Sequence, residues 1–398
     1  MEALALWILA GCVLGVFTGL MPGIHVNTVS LIALSFAGQE SLGIALMIVA
    51  MAIVHSFVDF VPSILVGVPD SESFLSLLPG HRMFAKGKAL LAIKLTVVGG
   101  MAAGLLALLL APFFFLFFSK TIGVLAKIVP FALMLVLGLM VFSEKKRWHS
   151  IIVIALSAVL GLMVLDSGIG LREPLFPLIT GFFGTSSLVH SLLSKHKTIQ
   201  QETGKHSFSL QKVLFGSALG VSSGMIVAVL PSIGSSQAAF IVKSIAGKIP
   251  TATYLIVLGG IGTANTIFAF FALFALGKTR SGTAAAVREL IETNEHTLAL
   301  IAAAIITAIG FGALATIIIS RFVIKKVEKI DYKKMNLAVL LLLVLLTVLI
   351  SGLAGLVVML TAGCIGLTAV FSGIKRTNCM AFLMIPTLAF YLAQYYTA

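Results

Sequence analysis

The sequence predicts an all-α, polytopic membrane protein built as two inverted repeats of about six hydrophobic regions each, with broken, re-entrant helices. Three observations carry this. Of 398 residues, 59% are hydrophobic and only 10% charged, against about 25% charged in soluble chains. With a mean hydropathy of +1.14, no soluble core hides that much apolar surface, so lipid is the solvent for most of it. The apolar residues also fall into twelve regions, six on either side of one polar, basic stretch. Finally, the basic loops swap places between the halves.

Taken in order, the first six regions cover 3–38, 41–68, 89–118, 121–142, 150–166 and 172–193. About 20 residues at 1.5 Å each cross the hydrocarbon, so most regions serve as one crossing. The first begins Met1-Glu2 with no basic flank and no cleavage-like ending, which reads as a retained membrane helix rather than a signal peptide. Residues 194–212 form a basic cytoplasmic linker between a first repeat (1–193) and a second (213–398). The remaining regions cover 213–247, 252–276, 297–320, 336–350, 353–371 and 379–396.

Short matches relate the halves. Gly11-x-x-Leu14-Gly15-Val16-x-x-Gly19 parallels Gly216-x-x-Leu219-Gly220-Val221-x-x-Gly224, and Pro22-x-Ile24 parallels Pro231-x-Ile233. Pro177 and Pro386 pair in the same way near the ends of the halves. Internal repeats of this kind are the usual plan of secondary transporters.

The net charge of +13 suggests nucleic acid at first sight, but basic residues gather in the cytoplasmic loops of membrane proteins. No nucleic-acid partner is expected. The loop after the fourth region is basic in the first half (Lys145-Lys146-Arg147) and uncharged in the second (Ser351-Gly352); after the third region the order reverses, with Arg321–Lys334 basic. Equivalent loops therefore face opposite sides. Ser143–His149, the linker and Arg321–Lys334 are expected in the cytoplasm, with Ser167–Pro174 and Gly277–His296 outside. Inversion needs an odd number of crossings per half, so one region enters and leaves on the same side. The first region of each half suits this role, because each breaks at polar and proline residues.

Those breaks are the candidate substrate site: Pro22, Gly23, His25, Asn27 and Thr28 in one half, Pro231, Ser232, Gly234, Ser235, Ser236 and Gln237 in the other. Irregular backbone at membrane depth persists only where it lines a cavity or is covered by protein. The two breaks are expected to meet near the midplane, with helix N-termini offering N–H groups and a positive dipole end to an anion.

A second polar set is His55, Asp59, Asp70, Ser71, Thr263, Asn265 and Thr266. His55 and Asp59 share a helix face. Ionisable groups inside a membrane face the bundle interior and mark ion pathways, so this set is the candidate for a coupling ion or a structural polar patch. Leu276–Thr283, opening a helix over 284–291, offers a further N-terminus to an anion. Lys127 and Asp166 are expected to snorkel from segment ends. His-Glu-x-x-His and Walker A sequences are absent, and Cys12, Cys364 and Cys379 lack metal-ligand spacing. No catalytic residue, metal or cofactor is expected, apart from sodium or a proton as the coupling ion.

The chain resembles a short, divergent member of the TctA family, the large membrane subunit of tripartite tricarboxylate transporters. Three stretches carry the resemblance: Gly15-x-x-x-Gly19-Leu20-x-Pro22-Gly23-Ile24; Pro62-Ser63-Ile64-Leu65-x-Gly67-x-Pro69 with Pro79-Gly80-His81-Arg82-Met83-x-Ala85-Lys86-Gly87-Lys88-Ala89; and Pro231-x-Ile233-Gly234 with Ala264-Asn265 after it. It departs from the family pattern at Asp70, which replaces a glycine, at Gly262, which replaces a glutamate, and at Gly277-Lys278, where the second Pro-Gly is lost. The resemblance implies a multi-pass carrier working with a small membrane subunit and an extracytoplasmic binding protein.

The expected function is a secondary transporter in the cell membrane, cation-coupled, moving a small carboxylate-like organic anion. Two other readings stand beside it. One is a lipid-carrier translocase taking a polyprenyl-phosphate type of ligand. The other is a non-transporting membrane scaffold.

Overall fold

The computed structural model describes residues 2–21, 26–36, 38, 40–65, 79–80, 82–84, 86–165, 170–171, 174–193, 201–202, 204, 209–229, 235, 238–239, 242, 249–277, 279, 281–327 and 332–397. Among them there is no strand, and eight helices are long and apolar enough to cross a membrane. The protein is an all-α, polytopic membrane protein.

The chain opens with α1 (Glu2–Leu20), α2 (Val26–Leu34), α3 (Ser41–Val58) and α4 (Phe60–Leu65). Glycines on α1 set its contact with α3. A Cβ at Gly11 would land on the carbonyl of Met47, one at Gly15 on Met51 and Val54, and one at Gly19 on Val58. Both sets of numbers rise together, so α1 and α3 run parallel and in register. Gly43, at the start of α3, accordingly lies against Trp7 near the start of α1.

The same seam recurs between α10 (Leu210–Val229) and α11 (Thr251–Leu276). Gly216 meets Ile256 and Thr253, Gly220 meets Gly260 and Val257, and Gly224 meets Ala264 and Ile261. These helices are also parallel, and glycine at every fourth position again lets backbones approach.

Elements from either side of the linker interlock. On α5 (Ala89–Leu109), a Cβ at Gly99 would strike the Ile256 carbonyl of α11, and one at Gly259 of α11 would strike the Thr96 carbonyl of α5. On α13 (Glu295–Val327), Gly312 packs on Val54 and Phe57 of α3. Between them α12 (Gly282–Leu290) follows Gly277, whose φ of +60° ends α11 in a left-handed cap donating to Leu273 O at 3.0 Å.

The rest forms a flank. It comprises α6 (Ala111–Phe142), α7 (Arg147–Leu165), α8 (Leu175–Ile179), a π-helical turn (Thr180–Thr185), α9 (Ser186–Leu193), α14 (Tyr332–Phe371) and α15 (Ala381–Thr397). The π turn frees carbonyls that the side chains of Ser186, Ser187 and Arg376 take up at Phe182 and Phe183. Two boundaries differ from expectation. α6 runs unbroken from Ala111, so regions 89–118 and 121–142 divide at Leu110, because Pro112 suits a first helical turn. Lys127 consequently sits within α6, exposed, and not at a segment end.

α14 is a hairpin, not a rod. Gly352 has φ 69° and ψ −169°, and Thr347 Oγ1 donates to Met359 Sδ at 3.1 Å. Twelve residues of straight helix would separate them by about 18 Å. The uncharged Ser351-Gly352 turn predicted from sequence is thus the tip, and its far end lies beside the basic loop of α6–α7. There Lys146 Nζ donates to Ser372 O (3.0 Å), and Glu144 accepts from Lys375 N (3.0 Å). On the same principle Gln201 and Lys94 tie the linker to the start of α5, through Gln201 Nε2 to Phe84 O (3.0 Å) and Lys94 Nζ to Gly204 O (3.3 Å).

This geometry sets a labelling result. Trp148 and Leu353 are 78% and 74% exposed and belong to opposite ends of α7 and the α14 hairpin. Cysteines placed there, with Cys364 replaced, should react with impermeant maleimide from opposite sides of the membrane. Labelling of both from one side would contradict the fold.

Candidate functional site

Where the two glycine seams come together, α3 touches α11 directly: Ser56 Oγ lies 3.4 Å from Thr263 Oγ1. Beside this contact is a polar cavity of ≈ 50 Å³, lined by Val26, Asn27, Ala52, His55, Ser56, Asn265, Thr266, Ala269, Ser281 and Thr283. That volume exceeds what a single water needs. It lies deep in the protein, since His55 and Asn265 are each about 20 Å along their helices from Ser41 and Thr251.

Each polar side chain has a local reason for its position. His55 is buried at 8% exposure, and its Nδ1 is 3.1 Å from Thr18 Oγ1 of α1. The Thr18 hydroxyl also lies within 3.3 Å of Gly15 O, which accepts from it. Ser56 Oγ donates to Ile53 O (2.8 Å) and Thr266 Oγ1 to Gly262 O (3.0 Å), the back-bonding expected of hydroxyls in a membrane helix. Asn27, near the start of α2, accepts at Oδ1 from Thr283 N (3.1 Å), while Ser281 caps α12 by accepting from Ala284 N (3.1 Å).

The cavity therefore joins the beginnings of two helices, α2 and α12. Sequence reasoning placed helix N-termini here for an anion, and in α12 the first N–H groups are instead taken by Asn27 and Ser281. The ends still present positive dipole to the cavity, but α12 does so through protein caps, because buried N–H groups must be paired.

Of the residues expected in the site, Asn27, His55, Asn265 and Thr266 line the cavity. Thr263 is fully buried at its edge, bonded to Ser56. Asp59 is 5% exposed and lies off the cavity, at the C-cap of α3, its N–H donating to His55 O (3.0 Å). Ser235 is buried at 3% exposure and is not part of the lining. Thr28 lies in α2, and its side chain is outside the described set. Pro22, Gly23, His25, Asp70, Ser71, Pro231, Ser232, Gly234, Ser236 and Gln237 lie outside the described residues.

Sequence reasoning did not single out Ser56, Ala52 or Ala269, and it noted Ser281 and Thr283 only as a helix opening. Helical spacing was the available signal: 52, 55 and 56 share one face of α3, as 265, 266 and 269 do on α11. No group of His, Cys, Asp and Glu among the described residues could hold a metal.

Residues 5–381 match the model of the tripartite tricarboxylate transporter TctA family. The chain belongs to the TctA family. Its protein is accordingly a multi-pass cell-membrane protein of a transporter family, not of an enzyme family. An uncharacterised protein of Methanocaldococcus jannaschii is 29% identical over 401 residues, covering 97% of this chain and 98% of the relative. No solved structure matches. Against the family pattern, Gly262 is informative: a Cβ there would meet no described atom within 4 Å. Gly262 stands one turn before Thr266 on α11, whose hydroxyl donates to its carbonyl at 3.0 Å.

Proposed function

We propose that this TctA-family chain is a secondary transporter that carries a small organic anion, carboxylate-like, on a cation gradient. In this reading residues 1–193 and 213–398 are inverted repeats, and the substrate sits in the cavity between them. The observation that carries it is the composition of that cavity: neutral amides, hydroxyls and one histidine, at membrane depth, with α2 and α12 both beginning at its wall. Polar surface so deep in a membrane bundle is costly unless it serves a ligand or pathway. The dipole ends favour an anion.

The tripartite character of the family extends the proposal to partners, namely a small membrane subunit and an extracytoplasmic binding protein. Purified protein in liposomes, given a sodium or a proton gradient, is expected to accumulate radiolabelled succinate, pyruvate or citrate. Absence of uptake and of counterflow for all three, with flipping of a polyprenyl-phosphate probe, would replace this reading with the lipid-carrier one.

A further inference from the structure

The short turn Arg376–Met380 between α14 and α15 brings a guanidinium against the π turn. Arg376 Nη1 donates to the Ser187 hydroxyl and to Phe183 O, the latter at 3.4 Å. Its Nη2 and Nε take no partner among the described residues. No carboxylate among those residues pairs with it either. Glu144, the one acid in the adjoining loop, is held by Lys375 Nζ at 3.8 Å and accepts from Lys375 N at 3.0 Å. Arg376 is half-buried. Loss of hydration pushes its pKa down to about 10, which still leaves it charged at neutral pH. A cation so placed calls for an anion.

The same turn has further polar groups unspent. Thr377 Oγ1 and both amide atoms of Asn378 are buried, in residues 5% and 0% exposed, with no hydrogen-bond partner among the described residues. Buried polar atoms are nearly always paired, so orphans beside an unpaired guanidinium mark a place completed from outside the protein.

The level of this turn in the membrane decides what completes it. It lies at the end of the flank where basic residues gather. Residues 143–149 and 372–378 hold Lys145, Lys146, Arg147, Lys375 and Arg376 against the one acid, Glu144. Exposed aromatic rings border them. Phe142 is 68% and Phe371 64% exposed, Arg147 lies over the Phe142 ring at 5.6 Å, and Phe371 meets the ring of His190, about one turn beyond Ser187 on α9, at 6.0 Å. Cations among exposed rings at the ends of membrane helices belong to the headgroup level, where the anion at hand is a lipid phosphate.

We propose that Arg376 anchors a bound anionic phospholipid, with its phosphate on the Nε–Nη2 edge and its acyl chains running past Phe371 along α14. That edge suits the group, because its N–H bonds lie parallel and meet two phosphate oxygens at once. The lipid is a fixed part of the flank. Arg376 lines no part of the cavity between α3 and α11, so this site is separate from the transport site proposed above.

The experiment uses the purified full chain, stripped of native lipid in neutral detergent. It is titrated with short-chain phosphatidylglycerol, short-chain phosphatidylcholine and inorganic phosphate, with Tm and native mass spectrometry as readouts. Phosphatidylglycerol is expected to bind first as a single molecule per chain and to raise Tm more than either of the others. Arg376→Gln should weaken its Kd about tenfold. Arg376→Lys, which keeps the charge and loses the planar fork, should fall between. Lys326→Gln, which removes an exposed cation resting on Phe322 of α13, should bind like the wild type. Equal binding by wild type and Arg376→Gln overturns the proposal. So does an equal loss in Lys326→Gln, which would indicate diffuse surface charge. Inorganic phosphate or phosphatidylcholine binding as tightly as phosphatidylglycerol also overturns it, the former in favour of a small-anion site. Should Arg376→Gln fail to fold, Arg376→Lys decides, and wild-type affinity there overturns the proposal.

Discussion

Gly259→Ala, and equally Gly99→Ala, is expected to remove most folded protein from the membrane. These two glycines face each other's helices where α5 crosses α11: a methyl at Gly99 falls on the Ile256 carbonyl, and one at Gly259 on the Thr96 carbonyl. In each case the obstructing atom is backbone, which cannot rotate away as a side chain can. The helices must separate, and separation opens Ile256, Phe268 and the fully buried residues around them. Overpacking a good core usually costs about 1–3 kcal/mol, and more where nothing yields. Gly138→Ala and Gly310→Ala are the controls. A Cβ at either meets nothing within 4 Å, and alanine favours a helix interior over glycine by about 1 kcal/mol. Size-exclusion profiles and thermal stability in detergent should show the first pair lost and the second pair intact. Equal behaviour of all four would mean that α5 and α11 do not cross closely.

Asn27→Leu is expected to weaken carboxylate binding at least tenfold, or about 1.4 kcal/mol, in protein that still elutes as one species. Asn27 connects the two helix starts at the cavity, and its Oδ1 accepts from Thr283 N at 3.1 Å. Leucine leaves that N–H unpaired beside a residue only 3% exposed, a loss of about 1–3 kcal/mol. It also pushes apolar branches into a cavity of ≈ 50 Å³. Asn27→Asp separates the two effects. It retains an acceptor for Thr283 and hence the α2–α12 contact, but it adds a negative charge that repels an anion. Stability should therefore be kept while binding is lost. An Asn27→Asp protein that binds succinate like the wild type would remove Asn27 from the substrate site.

The class of the protein was legible in the sequence, because it rests on local patterns. A run of about 20 apolar residues must span or be buried in lipid. Gly11, Gly15 and Gly19, like Gly216, Gly220 and Gly224, mark a helix face at which another backbone approaches. The turn at Ser351-Gly352 announced itself through its residues. Charge reversal between loops suggested that the halves are inverted, and proline and polar breaks pointed to the first region of each half as the re-entrant one.

Other features depended on contacts between residues far apart in the chain, which no local pattern encodes. That His55 and not Asp59 faces the cavity follows from how α11 and α12 pack against α3; the two residues share a helix face, and only the neighbours distinguish them. The helix starting at Gly282 read as an open anion site until Asn27, 256 residues away, proved to cap it. The boundary at Leu110 was hidden because Pro112 breaks or begins a helix according to what precedes it. The sequence by itself determined an all-α membrane protein of many apolar helices. Tertiary structure decided which of its few polar residues meet, because burial and pairing are settled between helices and not along them.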